Sequence, residues 1–281
     1  MSAGQGAASR SSWRRGPGRP VEALAAVAGL VLGLPVLVLV ARAILGGSLL
    51  ETAALGAVTS ALGLSLLTTA ASLVLMVLLG TPLGLLLARR RFRGSALLET
   101  VIDLPIVLPP SVAGLALLLT FGRRGLLGAP LELAGIEIPF TTLAVILAQG
   151  FVAAPFYVRS ARLGFAAVDR DLEDAARADG ASEWQLFRSI SLPLAAPALA
   201  AGLVMSWARA LGEFGATIMF AGNVEGTTQT LPLLVYGEFS AGSLDTSIAA
   251  AAILVLAAFG VLVAVRLLHW GRALDVRSAI G

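Results

Sequence analysis

Two residues of opposite charge lie four positions apart within an apolar segment, residues 195–222. Residues at this spacing share one face of a helix, so Arg209 and Glu213 can form an ion pair there. A charge at the centre of a bilayer costs at least about 2.5 kcal/mol by insertion scales, and such side chains usually face a wet cavity or a subunit interface. The sequence therefore predicts that the pair lines a translocation pathway or gate. An ion pair that only permits membrane insertion is the alternative.

Small and aromatic residues around Glu213 predict a bend or a close helix contact. Gly212 and Gly215 flank Glu213 and Phe214, and glycine lets membrane helices approach one another closely. Phe214 is a candidate hydrophobic plug of the pathway, although a phenylalanine that faces lipid has the same sequence signature. Thr217, which follows on the same segment, is included in the predicted gate.

Prolines interrupt a second apolar segment at positions 105, 109 and 110. Each proline removes a backbone donor. Such a break is tolerated at membrane depth only where protein or water satisfies the freed carbonyl group. We therefore predict that Pro109 and Pro110 bend a helix around the same pathway. A kinked helix that serves only packing is the alternative.

A polar stretch, residues 169–193, separates two apolar segments and carries nine charged residues. Its local signals predict two short helices, the first with acidic residues in its first turn, where the helix dipole favours them. Gly180 fits the left-handed conformation that ends a helix, and residues 182–185 read as a capping box that opens the second. Pro193 is expected to limit that second helix and to push residues 191–192 towards extended backbone.

Apolar side chains alternate with the charges of this stretch. The stretch is longer than a minimal connection between membrane helices, and an apolar stripe on an exposed element usually meets a partner. The sequence therefore predicts a docking surface, with an ordinary solvated loop as the alternative. The apolar residues are Leu172, Ala175, Ala176, Trp184 and Phe187.

A motif runs through the same stretch: Asp174-Ala-Ala176, three residues, Gly180, nine residues, and then Ile190-x-Leu-Pro193. It resembles the EAA loop of ABC-importer permeases, with the family's spacing intact and Asp174 in place of the usual glutamate. The resemblance implies that this stretch is a cytoplasmic coupling helix, which sits in a cleft of a separate ATPase subunit. The implied coupling residues are Asp174, Ala175, Ala176, Gly180, Trp184, Phe187, Leu192 and Pro193.

Further segments of the chain, residues 103–110, 121–125, 207–217, 219–223 and 230–232, resemble molybdate permeases within this group. Sulfate permeases carry a related Arg-x-x-Gly-Glu-Phe-Gly segment. The resemblance implies the transmembrane domain of a type I ABC importer that carries molybdate. Permeases for tungstate or for sulfate and thiosulfate in the same family are alternatives.

The resemblance also implies partners. They are a second copy of the chain, two ATP-binding subunits that hold ATP and Mg, and an extracytoplasmic protein that delivers the oxyanion. Between two copies, Arg209 from each would give an oxyanion a complementary electrostatic field. A lone copy would leave the Arg209 and Glu213 face towards lipid, whereas a two-fold pair would turn both faces into one pore.

Composition excludes several classes of function. Of the 281 residues 57% are hydrophobic and only 13% are charged, whereas soluble domains carry about 25% charged residues. With a mean hydropathy of +0.89, this composition indicates a polytopic membrane protein and not a soluble fold. All 20 basic residues are arginine, so the lysine of a Walker A loop is absent. Cysteine is absent as well, which excludes thiolate metal sites and disulfides. We expect no enzyme activity, metal or cofactor in this chain. The net charge of +3 gives no reason to expect a nucleic-acid partner.

Six membrane spans can be drawn, each near the ~20 apolar residues that a ~30 Å hydrocarbon core requires. They are residues 23–41, 62–88, 104–122, 138–158, 195–222 and 246–265, with a possible interfacial helix on the outer side at 53–60. The predicted fold class is an all-α polytopic membrane protein in contact with lipid. Its predicted divisions are a disordered cytoplasmic tail (1–22), a first helix with its outer connection (23–61), the transporter domain (62–268) and a cytoplasmic C-terminal tail (269–281).

The arginines predict the orientation of these spans. With the N-terminus inside, 16 of the 20 arginines fall in cytoplasmic segments, and only Arg42, Arg123 and Arg124 fall outside. Cytoplasmic loops carry such an excess of basic residues. Both termini and the 169–193 stretch are therefore predicted to lie on the cytoplasmic side of the cell membrane, where an ATPase can reach the stretch.

The alternatives to an importer subunit are a secondary transporter and an intramembrane enzyme. A self-sufficient secondary anion transporter would move its substrate without an ATPase. An intramembrane enzyme is disfavoured because the sequence has no His-Glu-x-x-His motif and no lysine for a Ser/Lys dyad.

Overall fold

The structure, a computed structural model, describes residues 19–53, 55–90 and 92–278. Most of the predicted N-terminal tail lies outside the described residues, and so does Arg91 of the predicted cytoplasmic loop. In the described part of the chain, all regular secondary structure is helical. The helices are α1 (Arg19–Leu45), α2 (Ser48–Ala53), α3 (Gly56–Arg89), α4 (Ser95–Val107), α5 (Pro110–Phe121), α6 (Gly128–Leu133), α7 (Thr142–Ala166), α8 (Arg170–Ala178), α9 (Glu183–Leu186), a π-helical turn (Phe187–Ser191), α10 (Leu192–Leu211), α11 (Gly215–Ala221), α12 (Leu231–Ser240) and α13 (Leu244–Ser278).

Five stretches of helix in the described residues are long and apolar enough to cross a membrane, and a bent pair makes a sixth. The five are Pro20–Leu45, Gly56–Arg89, Thr142–Ala166, Glu183–Leu211 and Leu244–Val263. The bent pair is α4 with α5, whose axes differ in direction by 120°. The chain is therefore an all-α polytopic membrane protein, as predicted.

The third predicted span, residues 104–122, is not a single helix. α4 begins at Ser95, and the backbone becomes extended at Leu108 and Pro109 before α5 opens with Pro110. Proline suits the first helical position because its missing N–H has no partner there. The two adjacent prolines therefore divide the segment into two helices instead of kinking one.

The outer connection and the fifth span also differ from the prediction. The short helix after α1 covers Ser48–Ala53, and α3 already begins at Gly56, so residues 56–60 belong to a membrane helix and not to an interfacial one. The fifth span breaks at Gly212, where α10 ends, and continues as α11. The last helix, α13, runs beyond its predicted end and through most of the predicted C-terminal tail.

The centre of the bundle is α7, on which α3 and α10 pack through small residues. A Cβ atom added at Gly84 of α3 would lie 2.6 Å from Cβ of Ala161. One added at Gly202 of α10 would lie 2.5 Å from Cβ of Ser160. Without a hydrophobic driving force in lipid, membrane helices associate by such close backbone packing. α3, α7 and α10 are therefore packed closely together, and the polar stretch lies at their ends.

By contrast, α1 buries none of its apolar window within the chain. It lies against α13 at the edge of the bundle. Its apolar surface must therefore be covered by lipid or by another protein chain.

Candidate coupling loop and membrane pathway

The polar stretch folds at one end of α7 as two short helices, as predicted. Asp169 precedes α8, and its carboxylate accepts a hydrogen bond from the N–H of Asp171 at 3.0 Å. Gly180 follows the end of α8 with φ +88°, the left-handed conformation that costs an L-residue about 1–2 kcal/mol. At the start of α9, Ser182 and Gln185 exchange both hydrogen bonds of a capping box. We call residues 169–193 the coupling loop.

The expectation for Pro193 is wrong. Both preceding residues have helical backbone angles: φ −64° and ψ −46° for Ser191, and φ −67° and ψ −47° for Leu192. Pro193 occupies one of the first two positions of α10, where a missing N–H is tolerated. The preceding π-helical turn, in which the Leu192 N–H reaches the Phe187 carbonyl, joins α9 to α10 without a break. The second helix of the coupling loop thus continues directly into the membrane.

The predicted docking residues divide between two faces of the loop. Asp174 and Trp184 face outward, with the Asp174 side chain 70% exposed and Trp184 66% exposed. Ala175 is exposed as well, and Ala176 is half-buried. The outward residues offer a free mixed apolar and acidic surface.

Phe187 and Leu192 instead pack towards the bundle. They lie against the buried cluster of α7 and α10 that includes Phe165. The Phe187 ring lies 6.2 Å from that of Phe165 on one side and 5.7 Å from that of Trp184 on the other. Trp184 therefore rests on a ring that is itself anchored in the core.

Arg177 ties the two helices of the coupling loop together. Its guanidinium group donates to Asp174 and to Glu183, both at 2.8 Å. The hydrogen bond to Glu183 is the largest cause that raises the pKa of Arg177 above its usual range. These groups are exposed to solvent, so the contacts orient the loop and add little stability.

A buried acid joins the coupling loop to the bundle, and sequence reasoning missed it. Glu173 is the buried residue of α8. Its carboxylate pairs with Arg89 at the end of α3 and accepts a hydrogen bond from the Ser191 hydroxyl group at 2.7 Å. Arg89 also reaches the Val168 carbonyl at 3.4 Å. The sequence signal is only a charge next to Leu172 on an amphipathic helix, and in the sequence Arg89 contributes only to the excess of arginines that predicts the orientation.

In the membrane, Arg209 and Glu213 form the predicted ion pair. Nη1 of Arg209 lies 2.6 Å from Oε2 of Glu213, whose side chain is 1% exposed while that of Arg209 is 30% exposed. The second carboxylate oxygen accepts a hydrogen bond from the Ala216 N–H at 2.7 Å. Glu213 therefore neutralises Arg209 and also satisfies one of the free N–H groups that open α11.

The remaining predicted gate residues lie where α5 meets α11. A Cβ added at Gly215 would lie 2.7 Å from Cβ of Pro110, so the close approach expected for this glycine is present. The Phe214 ring lies 5.0 Å from that of Tyr236 on α12. Thr217 is fully buried. Pro109 immediately precedes α5.

Two ion pairs tie α4 to α7. Arg159 donates to Asp103 at 2.8 Å, and Arg162 donates to Glu99 at 2.9 Å. The acids lie on the helix that precedes the two prolines, and their partners lie on the central helix.

Within the described residues, no group of three His, Cys, Asp or Glu side chains is placed to hold a metal ion.

Comparison with known proteins gives one family. Residues 80–270 match the family described as "Binding-protein-dependent transport system inner membrane component". A putative molybdenum transport system permease protein of Bacillus subtilis is 45% identical over 171 residues, which are 60% of this chain and 75% of the relative. A molybdenum transport system permease protein of Mycobacterium tuberculosis is 50% identical over 177 residues, which are 63% of this chain and 67% of the relative.

Among solved structures, the fold is similar to a bacterial ABC transporter involved in the import of the acidic polysaccharide alginate. The TM-score is 0.70 at 18% identity, over 90% of this chain and 94% of that one. At this identity the similarity concerns the fold alone. The predicted fold, the transmembrane domain of an ABC importer, is confirmed.

Proposed function

The chain belongs to the family of binding-protein-dependent transport system inner membrane components, and we propose that it forms the translocation pathway of an ATP-driven molybdate importer. The observation that carries this proposal is the identity of 45% and 50% with two relatives that are named as molybdenum transport permeases. The intact motif of the coupling loop and the charged pair in the membrane support it.

The importer needs partners, and features of the chain indicate where they bind. ATP and Mg are held by two separate ATPase subunits, since this chain has no lysine for a phosphate loop. Those subunits dock on the outward face of the coupling loop, through Asp174, Ala175 and Trp184, with Ala176 behind them and Gly180 setting the turn. Exposed mixed surfaces of this kind are where partners bind.

A second copy of the chain completes the pathway. In one copy, Arg209 keeps about a third of its side chain exposed although it lies in an apolar helix. Two copies related by a two-fold axis would place these arginines around one shared pore, where they attract an oxyanion. Glu213 reduces that attraction, which suits passage better than retention. An extracytoplasmic binding protein, as the family name implies, delivers the anion.

Both termini and the coupling loop lie on the cytoplasmic side of the cell membrane in this proposal. The support is the excess of arginines in the segments assigned to that side. The connection between α5 and α7, which holds Arg123 and Arg124, then faces outward. Residues 62–268 form the transporter domain.

Reconstitution tests this function directly. Proteoliposomes that contain the chain, its ATPase and the binding protein are expected to accumulate molybdate only when ATP is supplied. Tungstate and sulfate, added as competitors, identify the preferred oxyanion. Accumulation by the chain alone would instead support a secondary anion transporter.

A further inference from the structure

The structure assigns a positioning role to an acid next to the motif: we propose that Glu173 is the joint through which the coupling loop moves α3 and α10. This inference rests on the proposed function, because it concerns how ATPase movement reaches the membrane. It differs from docking, which involves the outward face of the same helix. Asp174, the acid of the motif, is exposed and pairs only within the loop.

Three separate elements meet at the Glu173 carboxylate. Arg89 is the last residue of α3, Ser191 is the last residue of the π-helical turn, and both donate to the same oxygen, Oε1. The Glu173 side chain is 5% exposed and that of Arg89 is 18% exposed. The Ser191 side chain is buried as well. A single atom of α8 thus contacts the ends of two membrane helices.

Burial makes this contact stiff. An ion pair away from water interacts more strongly than one in solvent. Separating it leaves an uncompensated buried charge, which is strongly destabilising. A displacement of α8 is therefore passed to α3 and α10 instead of opening the contact. The Arg177 ion pairs cannot do this, because both of their acids lie within the loop itself.

The π-helical turn fits the same role. Its wider backbone hydrogen bond, from the Leu192 N–H to the Phe187 carbonyl, places Ser191 towards Glu173 at the point where α10 begins. Single π-helical turns occur frequently at functional sites. From Ser191, α10 runs as one continuous helix to Arg209. A rigid element of this kind connects the coupling loop with the charged pair in the membrane.

The test compares two acids of the same helix in the assembled importer. Glu173→Gln keeps the size of the side chain and one acceptor oxygen but removes its charge. Asp171→Asn makes the same chemical change at an exposed position of α8 and serves as the control. In proteoliposomes with the ATPase, the binding protein and molybdate, ATP hydrolysis and molybdate uptake are measured together with the amount of ATPase bound.

For Glu173→Gln we expect normal ATPase binding, continued ATP hydrolysis, and a fall in molybdate imported per ATP of about fivefold or more. Asp171→Asn should keep the wild-type ratio. An unchanged ratio for Glu173→Gln, including the case in which both activities fall in parallel, would overturn the proposal.

A milder variant covers the case in which Glu173→Gln does not assemble. Ser191→Ala keeps the ion pair and removes one donor to Oε1. We expect it to assemble and to lower the ratio, and a wild-type ratio would overturn the proposal. Failure of the proposed function looks different, since the wild-type complex would then show no ATP-driven molybdate uptake at all.

Discussion

At the scale of single residues, the backbone conformation of Gly180 determines the turn between the two helices of the coupling loop. Its φ of +88° is unfavourable for any L-residue, although a Cβ there would meet open space. We expect Gly180→Ala to strain the turn by about 1–2 kcal/mol and to weaken ATPase binding about tenfold. Co-purification at graded ATPase concentrations measures this.

Gly226 supplies the control for this variant. It also has a positive φ, of +73°, and open space, but it lies in the connection between α11 and α12. Gly226→Ala carries a similar strain and should leave ATPase binding unchanged. Equal weakening by both variants would mean that general stability, not the coupling loop, sets the affinity.

Arg209 and Glu213 allow stability to be separated from transport. Arg209→Ala leaves a buried carboxylate unpaired and should destabilise the protein by about 3 kcal/mol, the lower end for such pairs because Arg209 is partly exposed. The double variant Arg209→Gln with Glu213→Gln removes both charges and keeps an acceptor for the Ala216 N–H. We expect it to recover the thermal unfolding midpoint but not molybdate uptake.

Full uptake by the double variant would show that the pair only permits membrane insertion. That is the alternative left open by the sequence, and the capping of α11 by Glu213 is compatible with it. The measurement therefore decides between a structural pair and a pathway pair.

The sequence predicts those features that depend on residues close together in the chain. The turn at Gly180, the capping box at Ser182 and the pair four residues apart each depend on neighbours in the chain, and each is confirmed. Glu173 could not be predicted in the same way. Its partner Arg89 is 84 positions away, and only the tertiary fold brings the two together.

At the scale of elements, the junction between α5 and α11 depends on Gly114. A Cβ there would lie 2.6 Å from the backbone oxygen of Ala216, which cannot move away as a flexible side chain could. We expect Gly114→Ala to lower stability by about 1–3 kcal/mol, measured as thermal unfolding in detergent.

The matched control is Gly150→Ala on α7, where a Cβ meets nothing within 4 Å. Alanine is a better helix former than glycine by about 0.5–1 kcal/mol, so this variant should be neutral or stabilising. Of the two alanine variants, only Gly114→Ala is thus predicted to be destabilising. An equal loss of stability in both, or no loss in Gly114→Ala, would contradict a close contact between α5 and α11.

At the prolines, the observed helix boundaries differ most from those predicted from the sequence. A proline in sequence predicts a missing donor but not how the chain adapts to it. At Pro109 and Pro110 the chain ended one helix and began another, and at Pro193 it inserted a π-helical turn and continued. The difference arises from packing against neighbouring helices, which the local sequence does not contain.

At the scale of the whole molecule, one chain leaves surfaces that need partners. α1 buries none of its apolar window within the chain, Arg209 stays partly exposed in an apolar helix, and Trp184 protrudes from the coupling loop. In the proposed importer, lipid, a second copy of the chain and an ATPase cover these surfaces. The proposal requires that the coupling loop lie in the cytoplasm and be covered by the ATPase.

Cysteine labelling tests this claim most directly, because the chain contains no cysteine. Ala175→Cys adds a thiol of similar size to an exposed position of α8, and Leu126→Cys adds one in the exposed connection at the other end of α7. A membrane-impermeant maleimide should label the first only from the cytoplasmic side and only when the ATPase is absent, and the second only from outside. Labelling of Ala175→Cys from outside the cell, or equal labelling with and without the ATPase, would contradict the account.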